Sequence, residues 1–236
     1  MNKGKLYLIP VPLTQTAPGD YLPQPVQECA RRLKYFVAEN AKSARAFLKS
    51  LPSSTPLQEI KISELNEHTP DNVLPELLTP LLAGFDLGLV SEAGCPAIAD
   101  PGAGLVALAH DAGIQVVPMI GPSSIVLALM GSGLSGQNFA FHGYLPAKDE
   151  PRRKRLRELE RDSHQEKRTQ IFIETPYRNR QMLETLIATC APDTRICVAT
   201  DLTSETESIM TRTTGQWRRY GMPDIDRRPS VFLIQA

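Results

Sequence analysis

Leu87-Gly88-Leu89-Val90 is a short apolar run that reads as a buried strand. It opens into an unusually long loop, Ser91-Glu92-Ala93-Gly94-Cys95-Pro96-Ala97-Ile98-Ala99-Asp100-Pro101-Gly102. The loop carries two glycines, two prolines and two acids among mostly small side chains. Small residues let a ligand approach the backbone, and prolines lower the ordering cost. A structural turn needs about four residues, and this loop is far longer. It lies at the carboxyl end of a buried strand, where open α/β sheets bind ligands.

The rest of the chain alternates in the same way. Leu6-Tyr7-Leu8-Ile9 reads as a strand ended by Pro10 and Pro12. A Pro/Gly-rich loop spans Pro18 to Pro25. Residues 26–50 read as one helix, with Val26, Ala30, Leu33, Val37, Ala41, Ala44 and Leu48 at steps of three or four. Residues 73–82 read as a short amphipathic helix. A helix over Leu105–Ala112 stops at Gly113, and strand Ile114–Val117 and helix Ile125–Met130 follow. Buried strands separated by helices predict a parallel sheet with covered faces.

The second half has a different texture. Strands are expected at 139–142, 171–173, 195–199, 207–213 and 231–234, with helices at 150–167 and 179–188. The fold class expected is α/β: an N-terminal α/β domain over 1–120 and a mixed, partly antiparallel α/β domain over 121–236. Charge divides similarly. Residues 1–150 hold 10 Lys+Arg against 14 Asp+Glu, a net of −4, and residues 151–236 hold 16 against 12, a net of +4.

The formal net charge of the 236 residues is zero, so no global basic field argues for nucleic acid. Cys29, Cys95, Cys190 and Cys197 form no Cys-x-x-Cys pair, and His68, His110, His142 and His164 share no metal-ligand spacing. No metal is expected. No segment reads as a signal peptide or is long enough to span a bilayer, so free thiols and a cytoplasmic location are expected.

Two glycine patterns imitate dinucleotide fingerprints. Gly131-Ser132-Gly133-Leu134-Ser135-Gly136 fits G-x-G-x-x-G, but it follows a helix and precedes a strand, the reverse of the required context. It reads as a helix-ending turn. Gly102-Ala103-Gly104-Leu105-Val106-Ala107 opens a helix, but a long loop separates it from the preceding strand, which disfavours a standard dinucleotide fold.

The stretch Leu89–Gly102 resembles the pattern L-V-S-D-A-G-T-P-x-I-x-D-P-G of the ribosomal small-subunit RNA methyltransferase I family, a branch of the tetrapyrrole methylases. The likeness continues through Ala112–Pro118 and Gly121-Pro122-Ser123-Ser124. It resumes at Phe141–Pro146, Phe172–Arg178 and Asp201–Glu207. The resemblance implies two α/β domains with S-adenosylmethionine in a cleft between them, and a homodimer. It implies cofactor contacts at Pro10 and Pro12, at Ala93, Gly94, Cys95, Pro96 and Ile98, at Ser123 and Ser124, and at Leu202 and Thr203. Catalysis would then be mostly positioning, because the cofactor already carries an activated methyl.

The sequence departs from the family pattern in several places. Val11-Pro12-Leu13-Thr14-Gln15-Thr16 stands for T-P-I-G-N-L, and Ala38-Glu39-Asn40-Ala41-Lys42 for A-E-D-T-R. Glu92 replaces Asp, Cys95 replaces Thr and Ser204 replaces Lys, and the family's small C-terminal extension is expected to be absent, since little follows Val231-Phe232-Leu233-Ile234. Cys95 reads either as a small loop residue or as a reactive thiol. The cofactor loops keep the pattern better than the substrate-facing ones.

Glu92, Asp100 and Glu174 are the candidate catalytic carboxylates, with loop capping or ion pairing as the plainer reading of each. Arg152, Arg153, Lys154 and Arg155 are candidate phosphate contacts, or a solvated helix face, since Glu158, Glu160 and Asp162 follow. The expected activity is methyl transfer to RNA of the small ribosomal subunit, at a cytidine ribose 2′ oxygen. The alternatives are a tetrapyrrole or other small-molecule acceptor, a non-catalytic S-adenosylmethionine-binding protein, or a plain nucleic-acid-binding module. The last is disfavoured by the neutral charge and 6% aromatic content.

Overall fold

The computed structural model describes residues 2–14, 17–51 and 56–236, with the backbone alone for Asp71. The chain divides into two compact units that meet in sequence at Ser123/Ser124. The first holds β1 (Leu6–Leu8), α1 (Pro18–Tyr21), α2 (Gln24–Arg32), β2 (Tyr35–Ala38), α3 (Ala41–Ser50), β3 (Lys61–Glu64), α4 (Leu74–Leu77), α5 (Thr79–Leu82), β4 (Leu87–Val90), α6 (Gly102–Asp111) and β5 (Val116–Pro118). Its five strands are all parallel, in the order β3-β2-β4-β1-β5. Two apolar clusters cover the two faces. Ile9, Phe36, Ala38 and Val90 lie in one, and Leu6, Val37, Leu87 and Leu89 in the other.

The expected helix over 26–50 is therefore two helices with a strand between them. Tyr35-Phe36-Val37-Ala38 is buried on both faces, with Phe36 and Val37 at 1% and 0% exposure. A strand buried on both sides is apolar at every position, so its residues also satisfy a helical spacing. Asn40 restarts the helix as the N-cap of α3, its Oδ1 accepting from the Lys42 and Ser43 amides. The Pro18–Pro25 segment contains the one-turn helix α1 and the start of α2 rather than loop alone. The helix over 73–82 breaks into α4 and α5, each opened by a proline, Pro75 and Pro80. Strand β3 went unread because it is a polar edge strand, Lys-Ile-Ser-Glu, with no apolar run to mark it.

The second unit holds α7 (Ser124–Ser132), β6 (Phe139–Tyr144), α8 (Asp149–Glu166), β7 (Thr169–Ile173), α9 (Asn179–Thr189), β8 (Arg195–Thr200), β9 (Ser208–Thr213), α10 (Thr214–Tyr220) and β10 (Ser230–Gln235). Its sheet runs β6-β7-β10-β8-β9, parallel between β6 and β7 and antiparallel elsewhere. Leu156 and Leu159 of α8, Leu183 and Leu186 of α9 and Trp217 of α10 pack on Phe172, Val198 and Phe232. Phe172 and Phe232 stack with ring centroids 5.9 Å apart. Helix α7 ends at Ser132 and Gly133 follows at φ +68, which makes the Gly131–Gly136 pattern a helix-ending turn.

Helix α10 was not foreseen, although its signal stood in the sequence. Thr213 accepts from the Gln216 amide and the Gln216 side chain accepts from the Thr213 amide, a reciprocal cap written Thr-x-x-Gln.

The placement of β2 beside β4 is testable at Gly88. A Cβ there would come within 2.7 Å of the Phe36 ring. Gly88→Ala is expected to destabilise the protein by about 1–3 kcal/mol in urea unfolding. An unchanged midpoint would place Phe36 elsewhere.

Candidate active site

Strands β5, β1 and β4 are neighbours, so the loops leaving their carboxyl ends emerge side by side. The loops after β1 and β4 are joined by backbone. Val11 N–H donates to Gly94 O at 2.9 Å, and Gly94 N–H returns a bond to Val11 O at 3.1 Å. Gly94 has φ +74, and a Cβ on it would lie 3.1 Å from Leu13 and 3.3 Å from the Pro122 carbonyl. Only glycine meets both demands without strain. The third loop closes on the other two. A Cβ on Gly121 would fall 2.3 Å from the Pro10 Cβ, and the Cys95 thiol donates to Pro122 O at 3.4 Å. Pro10, Gly94 and Cys95 thus belong to one interlocked cluster, with Pro12 and Pro96 beside its members in the chain.

Burial pushes the Cys95 thiol above its ordinary pKa. The protonated thiol is a weak hydrogen-bond donor and a poor nucleophile. Its geometry matches a small loop residue that ties two loops together.

Beyond Cys95 the chain takes an uncommon path. Ala97 and Ala99 have φ 64 and 57, a left-handed conformation that costs an L-residue roughly 1–2 kcal/mol. Asp100 holds that path, its Oδ1 accepting from Ala97 N–H at 2.8 Å and Gly102 N–H at 2.7 Å. Burial raises the Asp100 pKa, and the two amides oppose that shift. Asp100 therefore acts as a loop-shaping carboxylate. The path leaves Ala93 and Ile98 exposed, Ile98 at 50%.

Next to these loops, a cavity of about 270 Å³ at the ends of β2, β3 and β4 is lined by Glu39, Asn40, Asn66, Glu67, His68 and Glu92. Glu92 is exposed, and its Oε1 accepts from the Ser43 hydroxyl of α3. Burial, with added repulsion from Glu92, Asp100 and Glu67, raises the Glu39 pKa. Glu39 was absent from the sequence-derived site. The residue was visible in Ala38-Glu39-Asn40-Ala41-Lys42, but the strand that aims it into this cavity was hidden in the supposed helix.

In the second unit, Glu174 and Leu202-Thr203 leave the sheet at the same end, flanking the start of β10. Glu174 is 4% exposed, and its Oε1 accepts from Thr175 N–H and from Arg178 Nε and Nη2 at 2.7, 2.9 and 2.7 Å. It clamps the turn between β7 and α9, while its Oε2 is buried without a partner. Leu202 is buried. Thr203, at φ 71, gives its N–H to Glu207. Ser123 and Ser124 stand at the junction in sequence between the units.

The expectation that Arg152 contacts phosphate is corrected. Its side chain has no exposure, and its guanidinium donates to Ala147 O and Asp149. The first turn of α8 folds over it, so Arg152 is spent on local structure. Arg153 pairs with the same Asp149 and Arg155 with Glu158, which leaves Lys154 as the exposed cation of the four. Among the described residues no cluster of three or more His, Cys, Asp or Glu side chains could hold a metal. No helix there is long and apolar enough to cross a membrane.

The sequence profile described as Tetrapyrrole (Corrin/Porphyrin) Methylases matches residues 5–217, nearly the whole chain. The chain belongs to the tetrapyrrole methylase family. Curated relatives include Ribosomal RNA small subunit methyltransferase I of Xylella fastidiosa (strain Temecula1), 36% identical over 232 residues, which are 98% of this chain and 80% of that one. The protein of the same name from Escherichia coli O157:H7 is 31% identical over 99% of this chain and 77% of its own. The crystal structure of the methyltransferase CobJ superposes with a TM-score of 0.65, covering 98% of this chain and 94% of that one. At 17% identity that likeness establishes a shared fold. The chain is accordingly a methyltransferase with the family's α/β architecture.

The raised pKa of Glu39 gives a pH test. A carboxylate whose folded pKa lies above its unfolded value disfavours folding when ionised. Its penalty is present at neutral pH and fades as pH falls through the folded pKa toward the ordinary glutamate value. Glu39→Gln is expected to raise the melting temperature at pH 7, with the gain shrinking as pH is lowered toward 4.5. An equal gain at all pH values would show that charge is not the cause.

Proposed function

We propose that this chain transfers a methyl group from S-adenosylmethionine to small-subunit ribosomal RNA in the cytoplasm, at the 2′ oxygen of a cytidine ribose. The observation that carries this reading is the interlock of three loops at the carboxyl ends of β1, β4 and β5. Relatives 31–36% identical over nearly the whole chain bear the name of small-subunit ribosomal RNA methyltransferases, which supports the acceptor.

The residues present fit the cofactor. Gly94 is buried in the interlock and lets the loops pack closely, while Ala93 and Ile98 on either side of it are exposed and leave the loop open to approach. The neighbouring Glu39 and Glu92 supply negative potential suited to a cationic sulfonium. S-adenosylmethionine, when bound, supplies an electrophilic methyl group on that sulfonium. Pro10, Pro12, Ala93, Gly94, Cys95, Pro96 and Ile98 would hold it, with Ser123, Ser124, Leu202 and Thr203 as further contacts.

Of the three candidate carboxylates, Asp100 is committed to backbone amides and Glu174 to Arg178. Glu92 is exposed, with its one hydrogen bond coming from Ser43. We assign it the proton that the ribose hydroxyl loses. Helix α7 leaves Val126 and Met130 at 49% and 74% exposure, and this apolar surface supports a homodimer.

The test is methylation of isolated small ribosomal subunits with isotopically labelled S-adenosylmethionine, mapped by mass spectrometry. Label on a single cytidine ribose is expected. Glu92→Gln should lower kcat by about 10²-fold or more. Gly121→Ala should weaken cofactor affinity roughly tenfold, about 1.4 kcal/mol, whereas Gly136→Ala, with open space around it, should not. The absence of binding heat with S-adenosylmethionine or S-adenosylhomocysteine would overturn the cofactor assignment, and unlabelled RNA the acceptor.

A further inference from the structure

Helix α8 carries the densest basic run in the sequence, yet the structure neutralises most of it. Arg152 is buried, and Arg152, Arg153 and Arg155 each pair with an acid, which leaves Lys154 and Arg157 as the exposed cations of the run. A different surface keeps its charge. Strand β9 forms one edge of the second sheet, and α10 follows it directly. Arg195 of β8 and Arg212 of β9 line an open cavity of about 230 Å³ together with Ser132, Thr211, Thr213 and Gln216. No carboxylate lines this cavity, and among the described residues Arg195, Arg212 and Arg219 have no acid partner.

Aromatic rings interleave with these cations. The Arg212 guanidinium lies 4.9 Å from the Trp217 ring centroid and 5.4 Å from that of Tyr220. Arg219 lies 5.6 Å from the same Tyr220 ring, which is 62% exposed. Trp217 is buried and its indole N–H donates to Ile196 O at 3.0 Å, so Arg212 rests on a fixed platform. Arg218 is held by the carbonyls of Ile187 and Cys190 at the end of α9, which fixes α10 in place.

We propose that this β9–α10 corner is the surface that docks single-stranded RNA. A backbone phosphate enters the cavity between Arg195 and Arg212, and Arg219 meets a neighbouring phosphate. Unpaired bases stack against Tyr220. The chemistry is that of single-strand recognition, in which cations track the backbone while an aromatic face takes a base. Fixed guanidiniums lose less freedom on binding than free lysines. The inference rests on the RNA-methyltransferase reading and adds where the RNA is held.

The experiment measures binding of the full chain to an unstructured fragment of small-subunit ribosomal RNA across a series of salt concentrations. Arg195 and Arg219 are exposed, and their removal leaves no buried partner behind. The double variant R195Q/R219Q should bind roughly tenfold or more weakly, and its log–log salt slope should fall by about 1.4, or ~0.7 per lost phosphate contact. The control K154Q/R157Q on α8 should match the wild type. Photocrosslinking with 4-thiouridine RNA should label the peptide that contains Tyr220, and Y220A should lose that label. If the wild-type chain binds RNA and R195Q/R219Q keeps its affinity and slope, this corner is not the docking surface and its charge serves an acidic protein partner instead. If the wild type binds neither this fragment nor isolated small ribosomal subunits, the RNA-methyltransferase reading itself fails; if it binds the subunits but not the fragment, this inference alone fails.

Discussion

The two hydrogen bonds between Val11 and Gly94 set the geometry on which the ligand-facing end of the first unit depends. They fasten the loop after β1 to the loop after β4, and both strands are buried in one parallel sheet. The loop after β5 then has nowhere to lie except against Pro10, and Gly121 permits that approach. Three loops that would each have many conformations are reduced to one arrangement. Ligand binding then carries little additional ordering cost, which is the physical meaning of preorganisation in a site of this kind.

Charge is distributed to match. Carboxylates gather at the ends of β2 and β4, where burial and repulsion from Glu92 and Asp100 disfavour the ionised Glu39. Arginines with no acid partner among the described residues gather at the β8–β9 end of the second sheet. Surfaces of opposite sign therefore lie on different units, which suits the proposed cationic cofactor and polyanionic acceptor. The neutral total hides this separation, and the sequence-level division into a net −4 and a net +4 region is its faint trace.

Much of the fold was legible because buried parallel strands announce themselves as short apolar runs and helices end at glycines such as Gly113, found here at φ +60. The fingerprint-like glycines were sorted correctly by context, as the Gly131–Gly136 turn shows. Strand β2 was lost because an all-apolar strand fits helical spacing as well as its own. Strand β3 was lost for the opposite reason, since it has too little apolar character. At the site, residue types were readable but commitments were not. Nothing in the string Glu-Pro-Arg-Arg-Lys-Arg reveals that Arg152 is buried, because burial of a guanidinium depends on Ala147 and Asp149 folding back to receive it. Likewise, the lack of an acid partner for Arg195 and Arg212 among the described residues is a property of the β8–β9 end of the sheet, where residues far apart in sequence line one cavity.

The central claim is that the loops after β1, β4 and β5 form one cofactor seat. Amide hydrogen exchange of the full chain, with and without S-adenosylhomocysteine, tests it most directly. The account predicts slowed exchange at residues 10–14, 93–99 and 119–123 together, because the loops are interlocked and tighten as a unit. Binding that leaves these three segments unprotected, or that protects one of them alone, would contradict it.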